Sequence, residues 1–428
     1  MSAHIDIDAA LVERYLKEFA RHGAHGQTGV WRTLYSPEWL AAADEYANWC
    51  TDAGLEVSRD AVGNVWGRLQ GEEGGGSIVT GSHIDSVTPG GRFDGALGTL
   101  GGLIAVKALK EQFGKPKRTL EAVALCEEES SRFRANFWGS RAVIGAIAPG
   151  VPDSIVGFDG VTLAQAMRDC GLDPARCGEA KRDDIAAFIE LHIEQGPVLE
   201  EADLSVALVT GIAAIRGTLA RLKGTANHAG AFPMHLRRDP VVGFAEIVPR
   251  LIDAARAVDE TAVTTIGRLE VEPNLATAIA GEIAFTVDAR HPQTDQCRAL
   301  CAAQDQIMRE IASARDLEID WQVTSAHEAC DSDPALLAAL RQGAEQAGIP
   351  VLEMVSGAAH DAQQMAKIAP VAMIFVRSKD GRSHTPEEYS SPEDILAGIK
   401  VLAEGLYRLA YQADPGISAR VSPQPLPH

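Results

Sequence analysis

GSHIDSVTPGGRFDG, residues 81–95, sets one histidine and two aspartates in a glycine-rich stretch directly after an apolar run. Residues 77–80 read as a buried parallel strand, and ligand sites in open α/β sheets lie beyond the ends of such strands. His83 can offer an imidazole nitrogen, Asp85 can orient that ring from behind, and Asp94 has two oxygens able to bridge ions. The same stretch also fits a polar loop that closes a β-α-β unit, its histidine merely hydrogen-bonded. The rest of the chain has to decide.

Downstream, residues 98–110 read as a crossover helix and 119–126 as the next strand, which argues for an α/β fold with a mostly parallel sheet flanked by helices. That strand runs into Glu127-Glu128-Glu129-Ser130-Ser131-Arg132-Phe133. Charge runs are usually solvated turns, but adjacent carboxylates at a strand end repel unless a cation or solvent is near. Neighbouring parallel strands end on the same side, so the loops holding His83 and Glu128-Glu129 should face one crevice. A third apolar strand, 186–191, ends in His192-Ile193-Glu194-Gln195-Gly196-Pro197. A lone histidine beside an apolar run is more often a satisfied core residue than a ligand; three such coincidences are harder to dismiss.

Upstream, Asp8 caps a helix with Leu11, Tyr15, Leu16 and Phe19 on one face, and Ser36-Pro37 opens a second helix that Gly54 closes. Strand-like runs follow at 55–58 and 64–69. From about Ser205 the texture changes to strand 219–223, helix 239–258, strand 262–270, strand 282–290, helix 295–314 and strand 318–324. This β-α-β-β-α-β order predicts an inserted ferredoxin-like α+β domain. Alternation then resumes with helix 333–347, strand 351–355, a short helix 359–366, strand 371–376, a loop carrying His384 and a helix over 392–412. The expected organisation is a catalytic domain in two parts, 1–211 and 327–413, an insertion at 212–326, and a flexible tail over 414–428 rich in proline.

The chain has 428 residues, too many for one ordinary core. Its formal net charge of -20 argues against nucleic acid and anionic membranes as partners, while permitting bound cations. No apolar run approaches the roughly 20 residues of a membrane span, and no basic-then-apolar leader opens the chain, so a cytoplasmic protein is expected. Seven scattered cysteines without a CxxC pair suggest neither a disulfide framework nor a thiolate zinc site.

His83, Asp94, Glu129, His192 and His384 each follow a predicted strand and together could hold two divalent ions sharing Asp94. Carboxylates with imidazoles suit zinc, manganese or cobalt, and nickel is a further possibility. Two such ions can polarise a carbonyl and generate hydroxide near neutral pH, which leaves Glu128 as the natural general base.

These motifs resemble the amidase/hydantoinase/carbamoylase family, within the binuclear-metal aminoacylase and carboxypeptidase superfamily. GSHIDSV, GGRFDG, EEESSRF with FWGSRA, ELHIEQGPVLE, TANHAGAFPM, SGAAHDA, MIFVRS and SHTPEEYS occur in family order over nearly the whole chain. The family includes N-carbamoyl-L-amino acid hydrolases, β-ureidopropionases and allantoate amidohydrolases. The resemblance implies that His83, Asp94 and His192 surround one ion and Asp94, Glu129 and His384 the other, with Glu128 as base and Glu127 solvated or structural. It implies that Gln195 contacts substrate and that the insertion is a lid through which the protein forms a homodimer. It also implies that His228 reaches toward the scissile carbonyl, within its own subunit or across the dimer, and that Arg290 binds the substrate carboxylate. Without the resemblance both would be read as surface residues. Three positions depart from the family. Thr277 stands where asparagine contacts substrate in many members, Ser130 replaces a glycine, and Arg377 replaces a proline. An added arginine suggests an acidic or larger acyl substrate.

The expected activity is therefore hydrolysis of a linear amide or ureido C–N bond in a small carboxylate such as an N-carbamoyl amino acid or allantoate. An N-acyl amino acid hydrolase or dipeptidase is the main rival, and a non-catalytic metal-binding dimer a more distant one. A nucleotide-dependent oxidoreductase would need a GxGxxG order that the 95–102 run lacks, and a serine hydrolase a GxSxG elbow, which is missing.

Overall fold

The computed structural model describes residues 5–412, so the tail expected over 414–428 lies outside the described residues. The chain divides into two compact units. One comprises residues 1–210, 331–354 and 360–428, the other 211–330 and 355–359.

The first unit is built on a mixed sheet of nine strands. Its centre is four parallel strands in the order Val371–Val376, Ile185–Ile193, Ser77–His83 and Thr119–Leu125. Antiparallel strands flank them: Val206–Ile212 on one side, Val65–Leu69 and then Glu56–Arg59 on the other. The expectation of a mostly parallel sheet is corrected accordingly. Glu56–Arg59 and Val65–Leu69 are joined by a short turn, which permits only antiparallel pairing, whereas the parallel pairs have long crossovers. The strand Val206–Ile212 was not anticipated from its sequence at all.

The crossover helix Ala96–Phe113 is buried along nearly its whole length, which is why its sequence is apolar all round. Ala9–Phe19 and Pro37–Asp52 begin as the sequence indicates. Asp8 accepts from the backbone N–H groups of Ala10 and Leu11, and Ser36 from that of Trp39, with Pro37 at the first helical position. Trp39, Tyr46, Trp138, Phe19 and Phe133 are buried in the main core. Each such ring contributes roughly 1.5–3 kcal/mol by leaving water.

The second unit has an antiparallel sheet in the order Val263–Thr265, Glu282–His291, Ala214–Lys223 and Glu318–His327, with Leu269–Glu272 also paired to Glu282–His291. Helices Pro240–Val258 and Thr294–Ala314 cover a core of Leu222, Ile247, Leu251, Phe285, Met308 and Ile311. The continuous strand expected over 262–270 is in fact two short ones. Gly267 lies in the break, and the ladder is interrupted where the Arg268 N–H donates to Thr286 Oγ1 at 2.9 Å. Residues Val355–Ala359 group with this unit because Ser356 and Gly357 carbonyls accept from Ala213 N and Arg290 Nη1 at 2.9 and 2.7 Å.

Candidate metal centre

Two histidines reach the centre from within strands. His83 is the last residue of Ser77–His83, and His192 the last but one of Ile185–Ile193; both are buried. Each ring turns Nδ1 to a backbone carbonyl, His83 to Asp85 O at 3.1 Å and His192 to Ile193 O at 3.0 Å. A carbonyl only accepts, so Nδ1 carries the proton and Nε2 keeps its lone pair for the centre. Asp94 sits opposite, its Oδ1 3.5 Å from His83 Nε2 and 3.2 Å from His192 Nε2.

The other oxygen of Asp94 faces the loop after Val371–Val376. His384 Nε2 lies 3.4 Å from Asp94 Oδ2 and 3.4 Å from Glu129 Oε1. The group His83, Asp94 and His192 and the group Asp94, Glu129 and His384 each have ligand atoms within 4.8 Å of one another. So does the group His83, Glu128 and Glu129. Gln195 donates from Nε2 to Asp94 Oδ2 at 2.9 Å and to Ser383 Oγ at 3.2 Å, and its Oε1 has no partner among the described residues.

The donor set fits divalent cations. Nε2 lone pairs face carboxylate oxygens, which leaves acceptors opposed to acceptors unless a cation or proton lies between. Glu129 Oε1 is buried with no hydrogen-bond partner among the described residues. Without an ion the proton balance is distorted. Burial opposes charge on His83, but hydrogen bonding to Asp94 and the charges of Asp85 and Glu128 outweigh it and raise its pKa well above the ordinary value. Burial likewise raises Glu128 and Glu129 well above the usual carboxylate range. Divalent cations reverse that direction by supplying the missing positive charge. A further group, Glu190 with His192 and His360, also brings ligand atoms within 4.8 Å of one another, but both oxygens of Glu190 already accept hydrogen bonds. Glu190 Oε1 accepts from Ser82 Oγ at 2.6 Å and Oε2 from Ala362 N at 2.8 Å.

Asp85 stands behind the His83 ring, with its carboxylate Oδ1 3.7 Å from Nδ1. Its backbone carbonyl, not its carboxylate, makes the close contact to His83; the carboxylate accepts from the N–H groups of Glu128 and Glu129 at 3.2 and 3.1 Å. It thus fixes the loop that carries the acidic pair. Glu127 is not solvated but buried, accepting from Arg132 N and Phe133 N at 3.3 and 3.0 Å. Arg377 is no free cation for substrate: its guanidinium is held by Asp394 at 3.0 and 3.1 Å and by Asp203 at 3.2 Å.

The second unit carries the other expected residues. His228 is exposed, and its Nδ1 accepts from Gly230 N and Ala231 N, both at 3.1 Å, so the ring's proton is on Nε2. Thr277 is exposed, and its backbone carbonyl accepts from Ala229 N at 2.9 Å, bracing the turn that holds His228. Arg290 pairs with Asp288 at 2.6 and 3.2 Å and lines a pocket of about 720 Å³ with Thr265, Thr286 and Val355. Ser383, Glu388 and Asp361 lie at or behind the centre and were not singled out from sequence, although they fall within the family motifs SHTPEEYS and SGAAHDA, which are the signal that could have found them.

Residues 79–408 match the model of Peptidase family M20/M25/M40. The chain belongs to that family. Within it, the chain is 38% identical over 398 residues to the allantoate amidohydrolase of Bacillus subtilis (strain 168), covering 93% of this chain and 97% of that one. It is 39% identical over 405 residues to the N-carbamoyl-L-amino acid amidohydrolase of Geobacillus stearothermophilus, covering 92% and 97%. Among solved structures, an amidase of the hydantoinase/carbamoylase family from Burkholderia multivorans superposes with a TM-score of 0.88 at 33% identity, over 96% of this chain and 100% of that one. This M20/M25/M40 member is therefore one of the hydantoinase/carbamoylase amidases. Its centre has the imidazoles and carboxylates that divalent metals require. None of its described helices is long and apolar enough to cross a membrane.

Proposed function

We propose that the protein is a divalent-metal-dependent amidohydrolase that cleaves the linear ureido or amide C–N bond of a small carboxylate, of the N-carbamoyl amino acid or allantoate type. The observation that carries this reading is Asp94, whose two oxygens face His83 and His192 on one side and His384 with Glu129 on the other. When bound there, two divalent ions, zinc or manganese, would polarise the scissile carbonyl and make water nucleophilic near neutral pH.

The chain's own residues do the rest. Glu128 takes the proton of the attacking water and passes it to the leaving nitrogen. His228, with its proton on Nε2, donates to the developing oxyanion. Arg290 holds the substrate carboxylate, and Gln195 turns its unpaired Oε1 to the substrate amide. The strand order of the second unit supports a ferredoxin-like reading, and we read this unit as a lid and dimerisation element. Seven free thiols suit a cytoplasmic enzyme.

Release of ammonia and of free amino acid should both be measured for manganese- and zinc-reconstituted protein with allantoate, N-carbamoyl-β-alanine, N-carbamoyl-L-amino acids and matching N-formyl and N-acetyl compounds, since cleavage of an N-acyl compound frees the amino acid but no ammonia. Ammonia from a ureido compound, abolished by chelator, is the expected result; cleavage of acyl compounds alone would transfer the reading to an N-acyl amino acid hydrolase. Glu128→Gln should keep both metals and lose about 10²–10⁴-fold in turnover. Near-normal turnover would remove Glu128 from the base role.

A further inference from the structure

We propose that Glu388 is a positioning residue: its buried carboxylate locks the loop of Asp94 to the loop of His384 and so sets the second metal position. This deepens the reading above and rests on it. Glu388 belongs to the segment between Val371–Val376 and Pro392–Tyr411, outside any helix or strand, yet it is only 4% exposed. Its Oε1 accepts from the backbone N–H groups of both Phe93 and Asp94, each at 2.9 Å. Its Oε2 accepts from Ser383 Oγ at 3.1 Å, and Ser383 adjoins His384. The same hydroxyl lies 2.7 Å from Asp94 Oδ2, so its single proton is shared between the two carboxylates. Glu388 N donates to Thr385 O at 3.1 Å and closes the turn after His384. His384 itself stands at φ +56°, a conformation that its own sequence does not favour and that the surrounding loop must hold.

The fit is tight from a second direction. A Cβ on Gly91 would lie 2.3 Å from Glu388 Oε1 and 2.4 Å from its Cδ, so any side chain there must displace the carboxylate. Gly91 and Glu388 thus form one device on two loops. His83 and His192 depend on it less, because strands hold them.

Removing a group that orients metal ligands costs typically about 10–100-fold in metal affinity. The test is titration of the metal-free full-length protein with MnCl2, read by calorimetry and by competition with a chelator. Glu388→Ala and Gly91→Ala should each weaken the second manganese equivalent by about 10–100-fold and leave the first within a few-fold. Glu388→Gln should remain near wild type, since an amide oxygen can still accept from Phe93 and Asp94 and the amide nitrogen can donate to Ser383. Wild-type affinity for both equivalents in Glu388→Ala or Gly91→Ala would overturn the proposal. So would a loss in Glu388→Gln as large as in Glu388→Ala, which would make the role one of charge. If Glu388→Ala does not fold, the Gly91→Ala and Glu388→Gln pair decides by the same criteria. His384→Ala is the control on the underlying reading: two equivalents bound at wild-type affinity in that variant would overturn the metal assignment itself, whatever Glu388 does.

Discussion

Gly95→Ala is the substitution that most directly couples the fold to the centre. Gly95 precedes the helix Ala96–Phe113 at φ +63°, where an L-residue costs about 1–2 kcal/mol. An added Cβ would stand 2.4 Å from His83 Cε1 and 2.5 Å from both ring nitrogens. That is roughly 1 Å inside van der Waals contact across the whole ring. The ring is buried and cannot move out to solvent, so overpacking adds about 1–3 kcal/mol. The sum, about 2–5 kcal/mol, corresponds to a fall in Tm on the order of 5–15 °C. Because the clash falls on a ligand, the first metal equivalent should weaken as well. The assay is scanning calorimetry of metal-free and manganese-loaded protein, with Gly74→Ala as control, since a Cβ there meets nothing within 4 Å. If Gly95→Ala melts with wild type in both forms and binds manganese as tightly, the close approach of this backbone to His83 is not a constraint and the argument fails.

Arg377→Ala should lower Tm, by about 1–3 kcal/mol in stability, because the buried Asp394 loses its charged partner; KM should stay unchanged, and a raised KM would return Arg377 to the substrate. Burial and the charge of Glu190 push the Asp361 carboxyl up to about 7. A carboxyl raised in the folded state contributes stability that is fully present below the unfolded pKa and is lost as pH rises through the folded one. Asp361→Asn should therefore gain in Tm relative to chelator-treated wild type between pH 4 and pH 8; a difference constant across that range would contradict the shift. Chelation of the wild-type protein should lower Tm, since an ion at 1,000 times its Kd adds about 4 kcal/mol; an unchanged Tm would mean that no ion was bound.

The ligands were legible for a topological reason. Parallel strands deliver their ends to one edge, so an apolar run followed by a ligand type at three separate places in the chain, His83, Glu129 and His192, already implies convergence. The devices that hold the ligands were not legible, because they act across loops distant in sequence or through burial that a local acidic run does not reveal. Glu388 reaches Asp94 over nearly 300 residues, and Glu127 looks like one more member of an acidic run until its hydrogen bonds to Arg132 and Phe133 are seen. Arg377 misled in the opposite sense. A cation that replaces a proline near a histidine suggests specificity, but the Asp394 that neutralises it opens a helix 17 positions later.

The same logic accounts for the carboxyl groups buried around the centre. Asp85, Asp94, Glu127, Glu190, Asp361 and Glu388 are all buried in the first unit, and Glu128 and Glu129 adjoin Glu127 in its loop. Asp85, Glu127 and Glu190 accept mainly from backbone amides and hydroxyls, which stabilise a carboxylate without neutralising it. Such an arrangement is costly as a structural element, because each buried charge costs several kcal/mol unless opposed. It would become favourable with divalent cations held by His83, His192, Asp94, Glu129 and His384, which would supply the opposing charge. The ligands of the centre and the carboxylates around them would thus stabilise one another once ions are bound.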